Sequence, residues 1–317
     1  MPLSRKLDPF VAAVDALGDA WTFLITREAF FGATRFDDFS KRLRIPKARL
    51  SERLKHLVAS DLLSRELYQS SPPRYEYRLT ERGMDVYPIA LNMIEWGKKW
   101  TDVRSDVTLL HADCGHPLSV RAVCRTCGDE VRAEDLIWPP IIPLNQAIGD
   151  ESNVRGWKKV VDPASVSTRQ DPASGVLNVA GDRWSMLITY GALQRQFRFR
   201  EAQAKLGIAH NILTSRLKSL VAGGVLERAD AGKQSPYRIS SAGLDLLPSV
   251  LAMRTWALDH LVDAPEQWNV IRHQPCGANI HTDVWCNHCS TKVTPQSVVV
   301  HYPSSPTILQ PSGVETP

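Results

Sequence analysis

The 317-residue sequence has no uninterrupted apolar stretch of the roughly 18 to 20 residues that a membrane-spanning helix needs. Asp8 and Asp15 interrupt the first apolar segment, which argues against a secretory signal peptide. The motifs G-x-S-x-G, H-E-x-x-H and G-x-G-x-x-G and the Walker loop are also missing, so nothing in the sequence points to an enzyme. These absences predict a cytoplasmic protein that does not contact a membrane.

Cysteine is scarce, and its spacing is informative. Six cysteines occur, all beyond residue 113, as two C-x2-C pairs and two single residues. In a reducing compartment such a pattern favours metal ligation over disulfides. The net charge of +4 is too small to identify a partner, so the distribution of the charges has to be considered instead.

The chain contains two copies of one segment. Trp21 corresponds to Trp184 at an offset of 163 residues, and Trp96 corresponds to Trp256 at an offset of 160 residues. Between these two tryptophan pairs the offset changes only between two predicted strands, where a surface loop tolerates a deletion. A repeat of this length predicts one fold that is used twice.

Each copy shows helical periodicity, then a strand pattern, then a last helix. In the first copy the predicted elements are helices over 9–17, 20–31, 36–43 and 46–58, strands over 62–66 and 75–80, and a helix over 81–100. The three helices over 20–31, 36–43 and 46–58, the hairpin and the closing helix predict a winged helix-turn-helix, in a fold that is mainly α with small β. The predicted domains are winged helix 1 (1–104), zinc ribbon 1 (105–137), a linker (138–175), winged helix 2 (176–266), zinc ribbon 2 (267–301) and a disordered tail (302–317).

The third helix of the first copy, with its approach, is strongly basic. Residues 41–55 hold seven cations and one anion. Leu50, Leu54 and Leu57 mark the buried face, so the cations lie on the side with which a recognition helix meets the DNA major groove. The alternative is a solvated helix face, but the position before a hairpin favours DNA. The predicted DNA-binding residues of this copy are Arg35, Lys41, Arg42, Arg44, Lys47, Arg49, Ser51, Arg53, Lys55, Arg74 and Arg78.

The second copy is less basic at the matching place. Its polar side chains can still hydrogen-bond bases or phosphates, which favours weaker binding of a second half-site. The alternative is a mainly structural partner for the first copy. The predicted DNA-binding residues here are Arg198, His210, Asn211, Thr214, Arg216 and Lys218.

Each copy is followed by the spacing H-x2-C-x9-C-x2-C. Three thiols and one imidazole make a closed, tetrahedral structural zinc site with no open position for catalysis. We therefore predict two zinc ions per chain, each bound by its own ribbon. His116, His281 and His288 are alternatives for the fourth ligand, but they do not align between the copies. The predicted ligands are His111, Cys114, Cys124 and Cys127 in ribbon 1 and His273, Cys276, Cys286 and Cys289 in ribbon 2.

Several of these motifs resemble the HxlR family of bacterial winged-helix transcriptional regulators. The resemblance rests on the Asp-x-Trp-Thr/Ser-x-Leu-Ile opening of each copy, the segments 35–39 and 45–54, the wing 72–80 and the Trp96-Gly97 pair. Family members usually act as homodimers, so the duplicated chain looks like a covalent pseudo-dimer. Several members sense oxidants through a cysteine near the amino terminus, but no cysteine precedes Cys114 here.

The function that combines these features is a sequence-specific DNA-binding transcriptional regulator. Its expected partner is double-stranded DNA, a homodimer of the chain is left open, and no effector is indicated. The alternative is a zinc-stabilised protein-interaction module that has lost DNA binding.

Overall fold

The computed structural model describes residues 8–17, 20–103, 105, 107–139, 172–230, 232, 235–261, 268–302 and 305–308. Within them the chain is mainly helical with small sheets, which confirms the predicted fold class at that level. The chain forms two compact units that alternate along the sequence. The first unit comprises Ala20–Arg121, Val160–Asn178 and Val284–Pro317, and the second comprises Met1–Asp19, Ala122–Lys159 and Val179–Asp283.

The first unit contains a winged helix-turn-helix in the predicted order. Leu50, Leu54 and Leu57 are fully buried, so their spacing forms the inner face of the third helix. The predicted helix over 81–100 is divided in two, because Pro88 has no amide hydrogen and suits only the first turn of a helix. The elements are α2 (Ala20–Phe30), α3 (Phe36–Arg42), α4 (Lys47–Ala59), β1 (Leu63–Ser70), β2 (Pro73–Leu79), α5 (Glu81–Met84) and α6 (Tyr87–Trp100).

The hairpin of the first unit is a long wing. Strand β1 pairs antiparallel with β2, from Leu63 opposite Leu79 to Ser70 opposite Pro73. The segment 69–74, which the sequence predicts as the turn, contributes residues to both strands, so the wing extends further from the helices than predicted.

The second unit repeats the winged helix-turn-helix with a shorter wing. Its two wing strands have three residues each, paired from Leu226 opposite Ile239 to Arg228 opposite Tyr237. Leu213, Leu217 and Leu220 are buried like their counterparts in α4. The elements are α8 (Arg183–Gln194), α9 (Phe199–Leu206), α10 (His210–Ala222), β6 (Leu226–Arg228), β7 (Tyr237–Ile239), α11 (Ser241–Leu244) and α12 (Leu247–His260).

The first helix of each copy belongs with the last helix of the other copy. Helix α1 (Pro9–Leu17) packs against α12 in the second unit. Helix α7 (Ala173–Ala180) begins in the first unit, where the backbone of Pro172 lies so close to Gly97 of α6 that no side chain would fit. The compact units therefore differ from the predicted domains 1–104 and 176–266. Helix α1 belongs to the second unit, and the start of α7 belongs to the first unit.

Short strands and two 3-10 turns make up the segments after α6 and α12. In the first unit β3 pairs with β10 and β10 with β11, and in the second unit β5 pairs with β8. Strands β4 and β9 also form a two-stranded sheet. These strands are β3 (Thr108–His111), β4 (Val120–Cys124), β5 (Leu136–Ile137), β8 (Arg272–His273), β9 (Thr282–Cys286), β10 (Val298–Tyr302) and β11 (Ser305–Ile308).

The structure differs from the predicted domain boundaries at the linker and at the tail. Helix α7 begins inside the predicted linker 138–175, most of which lies outside the described residues. The predicted disordered tail 302–317 contains strand β11, whose backbone extends the sheet of β3 and β10. Residues 309–317 lie outside the described part of the chain.

No single helix among the described residues combines the length and the apolar character that crossing a bilayer requires.

Candidate metal centres and nucleic-acid interface

The eight predicted metal ligands form two clusters, but not the predicted ones. Each cluster combines the His-x2-Cys pair of one ribbon with the Cys-x2-Cys pair of the other, so the prediction that each ribbon closes on its own four ligands is wrong. The ligand atoms of each cluster lie within 4.8 Å of one another. The first centre, in the first unit, is His111, Cys114, Cys286 and Cys289, and the second centre, in the second unit, is Cys124, Cys127, His273 and Cys276.

Strand β4 explains the exchange. The nine-residue spacer between Cys114 and Cys124 contains four of the five residues of this extended strand, and these four span roughly 13 Å at about 3.3 Å per residue. The spacer therefore carries Cys124 away from Cys114. Because β4 and β9 are antiparallel partners, the start of β4 lies beside the end of β9. In the first unit the Asn287 amide donates to the Ser119 carbonyl at 2.9 Å.

The first centre has the spacing that a tetrahedral zinc ion requires. The His111 Nδ1 atom lies 3.5 Å from Cys114 Sγ and 3.3 Å from Cys289 Sγ, and the Cys114 and Cys286 sulfurs are 4.0 Å apart. Zinc bonds of about 2.3 Å to sulfur at tetrahedral angles place two sulfurs about 3.8 Å apart. The His111 ring is fully buried, and its Nδ1 atom lies within 4.8 Å of the sulfurs of all three cysteines.

The second centre repeats this geometry. The His273 Nδ1 atom lies 3.4 Å from both Cys127 Sγ and Cys276 Sγ, and the Cys124 and Cys276 sulfurs are 3.9 Å apart. The His273 ring is buried as well. The two histidines that align between the copies are thus the ones that join the clusters, whereas His116, His281 and His288 are in neither cluster.

One thiol of the first centre is prepared for ligation. The side-chain hydrogen bond with Thr291, at 3.1 Å, lowers the pKa of Cys289 to about 6. The group is therefore largely a thiolate at neutral pH, which is the form that binds metal. The residues of both centres fit a closed structural zinc ion, because three sulfurs and one nitrogen occupy the four positions.

Helix α4 presents cations outside its buried leucine face. Lys47, Arg49 and Lys55 are exposed, and so are Lys41 and Arg44 in the approach. Ser51 and Arg53 are half-buried. The outward cations on α4 thus have the arrangement that the leucine spacing predicts.

Three other predicted DNA-binding arginines of the first unit are engaged in intramolecular contacts. Arg42 donates to the Phe31 carbonyl at 2.9 Å, and its guanidinium lies 3.7 Å from the buried carboxylate of Glu28. In the wing region, Glu76 accepts from Arg35 at 3.0 Å and from Arg78 at 2.9 Å. The bond to Glu76 also raises the pKa of Arg35. The sequence gives no direct signal for Glu28 or Glu76 as partners, because both contacts depend on tertiary structure.

The second unit has fewer outward cations at the equivalent surface. Arg216 donates to Asp182 at 2.9 Å, and both side chains are largely covered, with exposed fractions of 14% and 12%. Asp182 also caps α8 through the amides of Trp184 and Ser185. Among the remaining predicted DNA-binding residues of this unit, Thr214 is half-buried, and the exposed ones are Arg198, His210, Asn211 and Lys218.

The wing of the first unit carries both cations and exposed apolar groups. Arg65 and Arg74 are exposed, and the Arg65 guanidinium lies 3.5 Å from the centre of the Tyr75 ring. Leu67 and Tyr68 are 55% and 40% exposed. Arg65 and Tyr68 lie on the hairpin, where the sequence predicts wing residues that follow a groove, whereas the exposed Leu67 has no counterpart in that prediction.

Comparison with known proteins finds a family match and several similar relatives. The model of the HxlR-like helix-turn-helix family matches residues 16–105 and 179–264. The uncharacterized HTH-type transcriptional regulator Rv3095 of Mycobacterium tuberculosis is 38% identical over 130 residues, which cover 40% of this chain and 82% of that protein. The uncharacterized HTH-type transcriptional regulator YdeP of Bacillus subtilis is 33% identical over 95 residues, covering 30% of this chain and 74% of the relative.

A solved structure is also similar. "Crystal Structure of PA1607, a Putative Transcription Factor" is 33% identical, covers 40% of this chain and 91% of its own, and superposes with a TM-score of 0.36. The relatives are named as transcriptional regulators and the matching family is a helix-turn-helix family, which confirms the prediction that the chain is not an enzyme. Two matched regions together span more than half of the chain, and the chain therefore belongs to the HxlR-like helix-turn-helix family, in a tandem form with two copies.

Proposed function

We propose that this chain is a sequence-specific DNA-binding transcriptional regulator, in which one polypeptide supplies both winged helices of a pseudo-dimer. The observation that carries the proposal is the row of exposed cations on α4, Lys47, Arg49 and Lys55, opposite the buried leucines. Cations on this face neutralise phosphates and bring the helix to base edges in the major groove. A regulator of this kind works where the chromosome lies, which is the cytoplasm in a bacterium.

The first winged helix supplies most of the affinity in this proposal. Its third helix and wing carry exposed cations, whereas in the second unit Arg216 is paired with Asp182. The second helix keeps His210 and Asn211 at the surface, where they add hydrogen bonds to a second half-site. Joining both helices in one chain raises the effective concentration of the weaker one at the DNA.

The test is selection from random duplexes followed by titration of the enriched sequence. We expect an enriched motif, and Arg49→Ala should weaken binding about 10-fold to 100-fold, in line with about 1–3 kcal/mol for a base or phosphate contact. Arg132→Ala removes an exposed arginine from the ribbon segment after β4 and serves as the matched control. Failure to enrich any motif would favour the alternative, an interaction module without DNA binding.

We also propose that each centre binds one structural zinc ion. The support is the donor set of three sulfurs and one buried imidazole nitrogen, held within 4.8 Å in both units. Bound zinc supplies a tetrahedral cross-link, and the chain supplies all four ligands, so no position remains for catalysis. Elemental analysis of reduced protein should find two zinc ions per chain, and the absence of zinc would refute this part.

A further inference from the structure

The outward face of the third helix carries different side chains in the two units. Three buried leucines mark the inner face of α4 and three mark that of α10. At about 3.6 residues per turn, four positions of each helix lie furthest from these leucines. All of their side chains are exposed except that of Ile212, which is half-buried. The positions are Ala48, Arg49, Glu52 and Lys55 in α4 and, at the offset of 163 residues, Asn211, Ile212, Ser215 and Lys218 in α10.

Arg49 and Glu52 give α4 two charged groups of opposite sign on this face. Glu52 is exposed and makes no ion pair with another residue in the part of the chain that the structure describes. A carboxylate on a surface that meets phosphates weakens binding unless a base donates a hydrogen bond to it. The usual donor in the major groove is the N4 amine of cytosine, and guanine O6 and N7 together accept from an arginine.

The spacing of these two side chains suits neighbouring base pairs. Arg49 and Glu52 are three residues apart, which corresponds to a rise of about 4.5 Å along the helix. Stacked base pairs are roughly 3.4 Å apart along the DNA axis. Both residues lie in the first half of α4, and the amino-terminal part of a recognition helix is the part that reaches base edges. The set therefore fits two successive G·C pairs.

The matching positions of α10 are uncharged and suit other bases. Asn211 stands where α4 has Ala48, and its exposed amide can make the bidentate contact with adenine N6 and N7. Ile212 replaces the arginine, and its half-buried side chain offers an apolar edge that fits the methyl group of thymine. These two positions of α10 therefore favour A·T pairs.

The fourth position is a lysine in both helices. Lys55 and Lys218 are exposed and lie about two turns beyond the start of their helices. A lysine at this distance from the first turn suits a phosphate, which supplies affinity and carries no sequence information. The difference in base reading between the two helices thus rests on the other three positions.

We propose that one chain reads an asymmetric DNA site with two unlike half-sites. Arg49 and Glu52 of α4 read neighbouring G·C pairs in one half-site. Asn211 and Ile212 of α10 read A·T pairs in the other half-site. This inference rests on the proposed DNA-binding function and adds the bases that each helix selects. A homodimer with one kind of recognition helix reads two copies of the same half-site, whereas two different helices in one chain require two different half-sites.

The test compares motifs selected from random duplexes by the full wild-type chain and by a grafted variant. The variant Ala48→Asn, Arg49→Ile and Glu52→Ser gives α4 the three reading positions of α10. The wild type should select one G·C half-site and one A·T half-site, and the variant should select two A·T half-sites. In titrations the variant should bind the wild-type site about tenfold or more weakly than the site that it selects itself.

A reverse graft and a matched control complete the experiment. The variant Asn211→Ala, Ile212→Arg and Ser215→Glu gives α10 the positions of α4 and should select two G·C half-sites, so the test does not depend on the first graft alone. Lys55→Ala should weaken binding about tenfold and leave the selected bases unchanged. All of the changed side chains lie outside the leucine face, so circular dichroism should match the wild type.

The possible failures of the inference and of the proposed function differ. A wild-type motif with two like half-sites, or with only one half-site, would overturn the inference and leave the DNA-binding function in place. Unchanged motifs in both grafted variants would do the same. If the wild type enriched no motif at all, the proposed function itself would be refuted, and with it the inference.

Discussion

The metal ligands of the two units match position for position, whereas their third helices do not. Each centre has a buried histidine and three cysteines at the same spacing. On the third helices of the two winged helix-turn-helix folds, Lys47 and Arg49 of α4 correspond to His210 and Ile212 of α10. The two units thus share a cluster of histidine and cysteines and differ in the charge on this helix, and the DNA-binding proposal therefore predicts unequal contributions from the two helices.

The largest expected effect concerns the pairing of the ligands. Cys114→Ser with Cys286→Ser removes two thiols from the first centre and leaves the second intact, so one zinc ion should resist a chelator. Cys114→Ser with Cys124→Ser damages both centres, and neither should retain zinc under the same conditions, because structural zinc needs its full ligand set. Zinc is measured by elemental analysis after chelator treatment and gel filtration. If Cys114→Ser with Cys124→Ser kept one zinc ion and Cys114→Ser with Cys286→Ser kept none, the ligands would be grouped within each ribbon instead.

A second prediction compares the interiors of the two units. Arg254→Ile gives the second unit the residue of the first, but it leaves the carboxylate of Asp8 buried without its cationic partner. Breaking a buried pair in this way typically costs about 3–5 kcal/mol. The loss should appear as faster native-state hydrogen exchange of the α1 and α12 amides. Arg238→Ile removes an exposed arginine from the second wing and should change the exchange little.

Much of the winged-helix architecture is predictable from sequence because it depends on local patterns. The spacing of Leu50, Leu54 and Leu57 fixes the inner face of α4, and the repeat offset transfers that result to α10. The identity of the ligands also follows from local spacing. Their grouping does not, because it depends on the pairing of β4 with β9, which lie far apart in the sequence. For the same reason the sequence could not reveal that Asp182 neutralises Arg216.

A third prediction compares the two recognition helices directly. Lys47→Ala in α4 should weaken binding to the selected DNA about tenfold and lower the slope of log K against log salt by roughly 0.9, the value for one lost phosphate contact. His210→Ala at the equivalent position of α10 should weaken it only about twofold to threefold, since a neutral side chain releases no counterion. Titrations at several salt concentrations measure both quantities. Equal losses would show that the two helices contribute alike.

The smallest expected effect concerns the wings. Glu76 holds the guanidinium groups of Arg35 and Arg78, so Glu76→Gln removes a negative charge beside two predicted DNA contacts. We expect binding to the selected DNA to strengthen by about twofold to fivefold with a steeper salt dependence, because a negative charge beside these two cations is removed.

The second wing provides the matched control for that change. Glu227 accepts from Arg238 at 2.7 Å between the short strands β6 and β7, and both side chains are about half exposed. Glu227→Gln therefore removes the same charge from an ion pair that is more exposed and has one arginine, on the wing that carries few cations. If the wings contribute unequally, this variant should leave the affinity within the error of the titration. An equal gain from Glu76→Gln and Glu227→Gln would mean that the added affinity comes from net charge alone and not from Arg35 and Arg78.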